Sequence, residues 1–147
     1  MGADEDRAVI AAVGDLDALD RALSAGGSPD VRGTDGRTAL EVAIECDDVS
    51  SLRRLIEAGA NVNAAMANGW TPLHMAVDFE GDCNVQNELP MVLRHVKPLL
   101  DAGADPEAVF TSGQESQTPL DMAVYYEHTL AVEAMRRALG RGGGARA

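Results

Sequence analysis

Carboxylates alternate along the chain at Asp78, Glu80 and Asp82, the spacing with which a calcium-binding loop begins. The glycine and the closing glutamate of such a loop are not at the required offsets, so the pattern stops short of a site. Two thiols, Cys46 and Cys83, together with His74 or His95, are of the right type for a transition metal, but nothing in their spacing requires one. The sequence has no nucleophile–base–acid order and no glycine-rich phosphate loop. The expectation is therefore a chain without catalytic residues, metal or cofactor, and not an enzyme. A thiol- or metal-dependent regulator is the alternative of that class. The chemistry left is recognition. The five aromatics, Trp70, Phe79, Phe110, Tyr125 and Tyr126, are only 3% of the residues, and 24 acidic side chains stand against 12 basic ones. Aromatic rings are what binding hot spots use, and fixed charge steers a partner toward them.

With 147 residues the chain suits one domain. A formal charge of −12 would repel nucleic-acid phosphates or an anionic membrane, and it suits a basic protein partner. No apolar run approaches the roughly 20 residues of a membrane span. The start, Met1-Gly2-Ala3-Asp4-Glu5-Asp6, lacks the charged-then-apolar order of a signal peptide. Gly2 does not complete a myristoylation motif, because Asp6 stands where Ser or Thr is needed. Two cysteines are too few for a disulfide framework, so the expected setting is a reducing cytoplasm. Arginine outnumbers lysine eleven to one, which with abundant Ala and Gly is the usage of a GC-rich bacterial genome.

The elements that must position these residues are marked by repetition. Gly69-Trp70-Thr71-Pro72-Leu73-His74-Met75-Ala76 recurs in altered form 33 residues upstream, as Gly36-Arg37-Thr38-Ala39-Leu40-Glu41-Val42-Ala43. It recurs downstream as Thr118-Pro119-Leu120-Asp121-Met122-Ala123. A second phrase, Ala-Gly before a turn, stands at Ala25-Gly26, Ala58-Gly59 and Ala102-Gly103, with Gly26 and Gly59 again 33 apart. Each residue type has a physical task. Thr caps a helix N-terminus, Pro occupies the first helical position where a missing N–H does no harm, and Leu and Ala face a neighbour. Gly59 and Gly103 end a helix in the left-handed conformation that glycine adopts cheaply. This period and the Thr-Pro-Leu-His-x-Ala signature resemble the ankyrin repeat, over roughly residues 4–140. The resemblance implies an all-α solenoid of four stacked helix pairs with short β-hairpin loops, each pair burying its apolar face only against its neighbours.

The two phased signals divide the chain at about 4–32, 33–65, 66–112 and 113–140, with a disordered tail over 141–147. In the first unit Arg7–Val13 and Leu16–Ser24 are the expected helices, and Asp4-Glu5-Asp6-Arg7 gives the polar outer face of a terminal repeat. The second keeps the standard length, with Val49, Leu52, Leu55 and Ile56 on one helical stripe. The third is long. Thr71 to Thr118 is 47 residues, 14 more than the period, and Gly59 to Gly103 is 44. Eleven of the extra residues thus fall between its two helices, near Phe79–Leu89, and three lengthen the following hairpin. The insertion is expected to project at the concave rim. Pro90 is expected to open the second helix, and Pro98 to kink it. The fourth unit returns to standard spacing with Val132, Met135 and Leu139, and with Arg136 turned outward as in a terminal cap.

In ankyrin proteins, partners dock on the hairpin tips and on the exposed ends of the first helices. By that resemblance all five aromatics map to docking positions. Trp70 lies just before Thr71, Phe79 eight after it, Tyr125 and Tyr126 seven and eight after Thr118, and Phe110 in the lengthened hairpin. Glu45, Asp47, Asp78, Glu80, Asp82 and Glu115 fall on the same side, whereas Arg53, Arg54, Arg94, Lys97, Arg136 and Arg137 fall on second helices. His74 stands at the signature histidine, which in the family hydrogen-bonds hairpin backbone. The implied function is protein binding: a monomeric module that docks a basic partner, without nucleic acid or membrane. Small stand-alone bacterial ankyrin proteins resemble immunity proteins that neutralise a toxin, and a scaffold with no inhibitory role is the alternative.

Overall fold

The computed structural model describes residues 2–87 and 93–145. Among these, the helices in chain order are α1 (Gly2–Ala11), α2 (Leu16–Ser24), α3 (Ala39–Glu45), α4 (Val49–Glu57), α5 (Pro72–Asn87) and α6 (Val96–Asp101). A hairpin of β1 (Phe110–Ser112) and β2 (Glu115–Gln117) follows, then α7 (Pro119–Tyr125) and α8 (Thr129–Ala145). Consecutive helices pack on each other, α1 on α2, α3 on α4, α5 on α6 and α7 on α8. The odd-numbered helices also line up, α1 beside α3, α3 beside α5 and α5 beside α7. A continuous aliphatic core results, with Leu19, Leu40, Ile44, Leu52, Leu55, Leu73, Leu99 and Met135 fully buried. Each such side chain contributes about 1.5–3 kcal/mol by leaving water.

Local rules explain where helices begin. Thr38 and Thr118 each accept a hydrogen bond from the N–H three residues on, and the Glu41 and Asp121 carboxylates accept from the Thr N–H in return. These capping boxes satisfy donors that a helix start leaves orphaned. Asp15 and Asp48 cap α2 and α4 in the simpler way, accepting from Ala18 and Ser51 N–H.

Helix ends explain the insertion. Nine residues after their Thr, Asp47 and Glu127 take left-handed φ values of 55°. There the N–H groups of Asp47 and Asp48, and of Glu127 and His128, turn back to carbonyls in the last turn of α3 and α7. Gly14, at φ 103°, stands in the corresponding turn between α1 and α2. The residue in that register after Thr71 is Glu80, and it is helical. After Asp47 and Glu127 the next residue at once caps a following helix, whereas after Glu80 the next apolar stripe is deferred, so the backbone keeps its hydrogen bonds by continuing as helix. Residues 79–87 therefore extend α5 rather than projecting as a loop, which corrects the expectation for 79–89; residues 88 and 89 lie outside the described residues.

The start of α6 at Val96 corrects a second expectation. Pro98 falls in the first turn, where its missing N–H would have no helical acceptor, so it has no intrahelical bond to break. Pro90 lies outside the described residues. The lengthened hairpin forms a ladder in which Phe110 pairs with Gln117, Thr111 with Ser116 and Ser112 with Glu115, turning at Gly113 (φ 64°). α8 stays helical through Ala145, into the stretch expected as a disordered tail, and residues 146 and 147 are not among those described.

Candidate functional site

Two aromatic clusters occupy the side where the hairpins and first helices end. In the first, Trp70 stacks on His74 with ring centres 5.3 Å apart and meets Phe110 edge-on at 4.7 Å. His74 is fully buried. Its Nδ1 accepts from the Thr71 N–H at 3.1 Å, so its proton sits on Nε2 and is donated to the Gln117 carbonyl at 3.2 Å. Burial lowers its pKa below the ordinary imidazole value, in keeping with a neutral ring. His74 thus holds hairpin backbone, as expected. Trp70 and Phe110 are half-buried around it, so neither is a free-standing docking ring.

The second cluster joins α5 to α7. Tyr126, half-buried, donates its hydroxyl to Asp78 Oδ1 at 2.7 Å. Burial, then the Asp78 carboxylate, raises its pKa far above the usual tyrosine value. Its ring lies against Gly81, where an added Cβ would come within 2.5 Å of ring carbons. Phe79 is half-buried and stands edge-on to His95 at 5.4 Å. Tyr125 differs from all of these. It is 78% exposed and touches Tyr126 edge-on at 5.4 Å, with Val124 beside it 54% exposed.

The expected acidic contacts divide in the same way. Asp82 and Glu115 are exposed. Glu45 is exposed and ion-paired with Arg37, whose guanidinium also holds Asp35 at 2.7 Å and lowers the Asp35 pKa. Asp78 is half-buried under Tyr126. Glu80 is only 3% exposed, which removes it from the docking set. Its Oε1 instead accepts from the backbone N–H groups of His95 at 2.6 Å and Val96 at 3.3 Å. The first residue before α6 makes no side-chain cap of its own, so Glu80 caps that helix from α5. Burial pushes the Glu80 pKa up, but the nearby His128 and His95 side chains and the His95 backbone N–H outweigh it and hold the value below the ordinary one.

Buried His95 and His128, half-buried Asp47 and exposed Arg94 complete this group and were not grouped by sequence reasoning. Arg94 is not on a second helix; it precedes α6 and donates to Asp47 Oδ2 at 2.8 Å. The available signal was register, since Asp47, Glu80 and Glu127 all stand nine residues after a repeat Thr. Cys46 is an exposed free thiol, while the Cys83 side chain lies outside the described ones. Among the described residues, no three His, Cys, Asp or Glu side chains converge on a possible metal position.

The chain belongs to the ankyrin-repeat family: the family model for ankyrin repeats (3 copies) matches residues 8–108. No curated protein matches it. Membership defines a protein–protein interaction module. Among the described residues no helix is long and apolar enough to cross a membrane.

Proposed function

We propose that this module docks a basic protein on the side formed by its hairpins and first-helix ends, and that it acts as an inhibitor, in the manner of an immunity protein covering a toxin. The reading takes residues 1–140 as one cytoplasmic, monomeric, non-catalytic domain of four stacked helix pairs. The third pair carries the extra residues as an extension of its first helix. The observation that carries the proposal is Tyr125, a large ring 78% in solvent next to exposed Val124. Glu45, Asp78 and Tyr125 each stand seven residues after a repeat Thr, so acidic and aromatic groups share one row. A solvent-facing ring in the same repeat row as carboxylates offers a basic partner both area and charge.

The test is Tyr125→Ala. Because the ring is exposed, stability should change by less than about 0.5 kcal/mol. Partner affinity should fall by about 2 kcal/mol or more, roughly 30-fold. Normal melting with normal binding would refute the surface. Inhibition is separated from scaffolding by adding the purified module to the partner's own activity assay, where an inhibitor abolishes turnover and a scaffold leaves it unchanged.

A further inference from the structure

Glu80 and His95 are buried side by side, and the contacts around them leave one proton to be assigned. Glu80 Oε1 takes the two backbone N–H groups that start α6 and lies 3.3 Å from His95 Nδ1. On the other side of the same ring, His95 Nε2 lies 3.2 Å from Asp47 Oδ1. That contact is off-line for a hydrogen bond, and among the described residues neither atom has another partner. Asp47 Oδ2 is occupied by the Arg94 guanidinium at 2.8 Å. His128 approaches Glu80 Oε2 from the turn between α7 and α8 at 3.7 Å, beyond hydrogen-bond length. His128 Nδ1 accepts from the Ala131 N–H at 3.3 Å, so its own proton is on Nε2, facing Glu80. The Phe79 ring closes the apolar side of His95.

We propose that His95 is held as an imidazolium between Asp47 and Glu80, and that this proton locks the long α5 and the short α6 onto the turn after α3. The assignment follows by elimination. A neutral His95 would leave one ring lone pair facing a carboxylate oxygen at 3.2–3.3 Å, with His95 Nε2 and Asp47 Oδ1 themselves out of reach of water. A proton on Asp47 is disfavoured by Arg94, which pairs with the carboxylate form. A proton on Glu80 is disfavoured by the two backbone donors it accepts from. With His95 charged, two carboxylates meet one guanidinium and one imidazolium, and the cluster is neutral. The lock spans three successive parts of the chain: Asp47 before α4, Glu80 on α5 with His95 at the start of α6, and His128 before α8.

Imidazole nitrogen NMR on the intact protein tests this without any partner, so its failure is distinct from failure of the docking proposal. The chain has three histidines, and two serve as internal standards. At pH 7, His74 and His128 should each show one protonated nitrogen, on Nε2, while His95 shows two. In Asp47→Asn, the amide can offer the ring either a donor or an acceptor, and Asn tolerates the left-handed backbone of that turn. His95 should then show one protonated nitrogen at pH 7 instead of two. A singly protonated His95 at pH 7 in the unmodified protein overturns the proposal. So does an Asp47→Asn protein in which His95 still carries both protons at pH 7. Should Asp47→Asn fail to fold, the spectrum of the unmodified protein decides alone.

Discussion

Gly81 offers the sharpest test of how α5 is seated. Its neighbour is the base of the Tyr126 ring, where a Cβ would lie 2.5 Å from Cγ and Cδ2 and 3.0 Å from the Tyr126 Cβ. The ring cannot simply swing away, because its hydroxyl is tied to Asp78 at 2.7 Å and its edge meets Tyr125. Gly81→Ala should therefore incur an overpacking cost of about 2–3 kcal/mol. Against this, alanine in a helix interior gains about 1 kcal/mol over glycine. The net expectation is a loss of about 1–2 kcal/mol, or roughly 2–8 °C in Tm for a chain of this size. In a Tyr126→Ala background the clash is gone and only the propensity gain remains. There the same Gly81→Ala change should stabilise by about 1 kcal/mol, a reversal of sign and a coupling of about 2–3 kcal/mol between contacting residues. Urea or thermal melts of the four proteins in this cycle measure it. If Gly81→Ala raises Tm in the unmodified chain, α5 does not continue past Glu80 against α7, and the account of the insertion fails.

Two further changes probe the buried carboxylates. Glu41 is fully buried, its Oε2 has no hydrogen-bond partner among the described residues, and burial raises its pKa above the usual carboxylate value. An acid whose folded pKa is raised destabilises the fold above that value, so Glu41→Gln should stabilise the protein by about 1 kcal/mol at neutral pH. The gain should shrink in acid, and a lower Tm at pH 7 would contradict it. Glu80 has the opposite sign. Its pKa is lowered, so its contribution is present above the ordinary carboxylate value and is lost as pH falls through the folded one. Glu80→Gln should cost about 1–3 kcal/mol at pH 7, and the difference from the unmodified chain should shrink as pH falls below the ordinary carboxylate range. A pH-independent difference in melts would show that the charge of Glu80 is irrelevant to its capping.

The family, the period and the helix starts were legible because they rest on local rules. Thr38 and Thr118 cap, Gly26, Gly59 and Gly103 adopt positive φ, and the aliphatic stripes are buried, all as residue type and spacing require. The shape of the insertion was not legible. Whether the chain stops at Glu80, as it does at Glu127, depends on what the following residues can cap, and spacing alone does not carry that. Exposure was legible only in part. The rings at Trp70, Phe79, Phe110 and Tyr126 were expected at docking positions, yet each finds a neighbour: Trp70 and Phe110 each other and His74, Phe79 His95, and Tyr126 Asp78. Among the described residues Tyr125 has a ring contact with Tyr126 alone, and it stays in solvent. The Glu80–His95 pairing escaped notice because the two residues are 15 apart and meet only once α5 runs on and α6 starts late.

The central claim is that this module binds its partner through the side formed by hairpins and first-helix ends. Amide hydrogen exchange with and without the bound partner tests it most directly, since slowed exchange maps the covered backbone segment by segment. The account predicts slowed exchange in the hairpin before α5, in the β1–β2 hairpin, and around Tyr125 at the end of α7. The middles of α2, α4 and α8 should be unchanged. Slowed exchange confined to those second helices, with the hairpins and the Tyr125 corner unaffected, would contradict it.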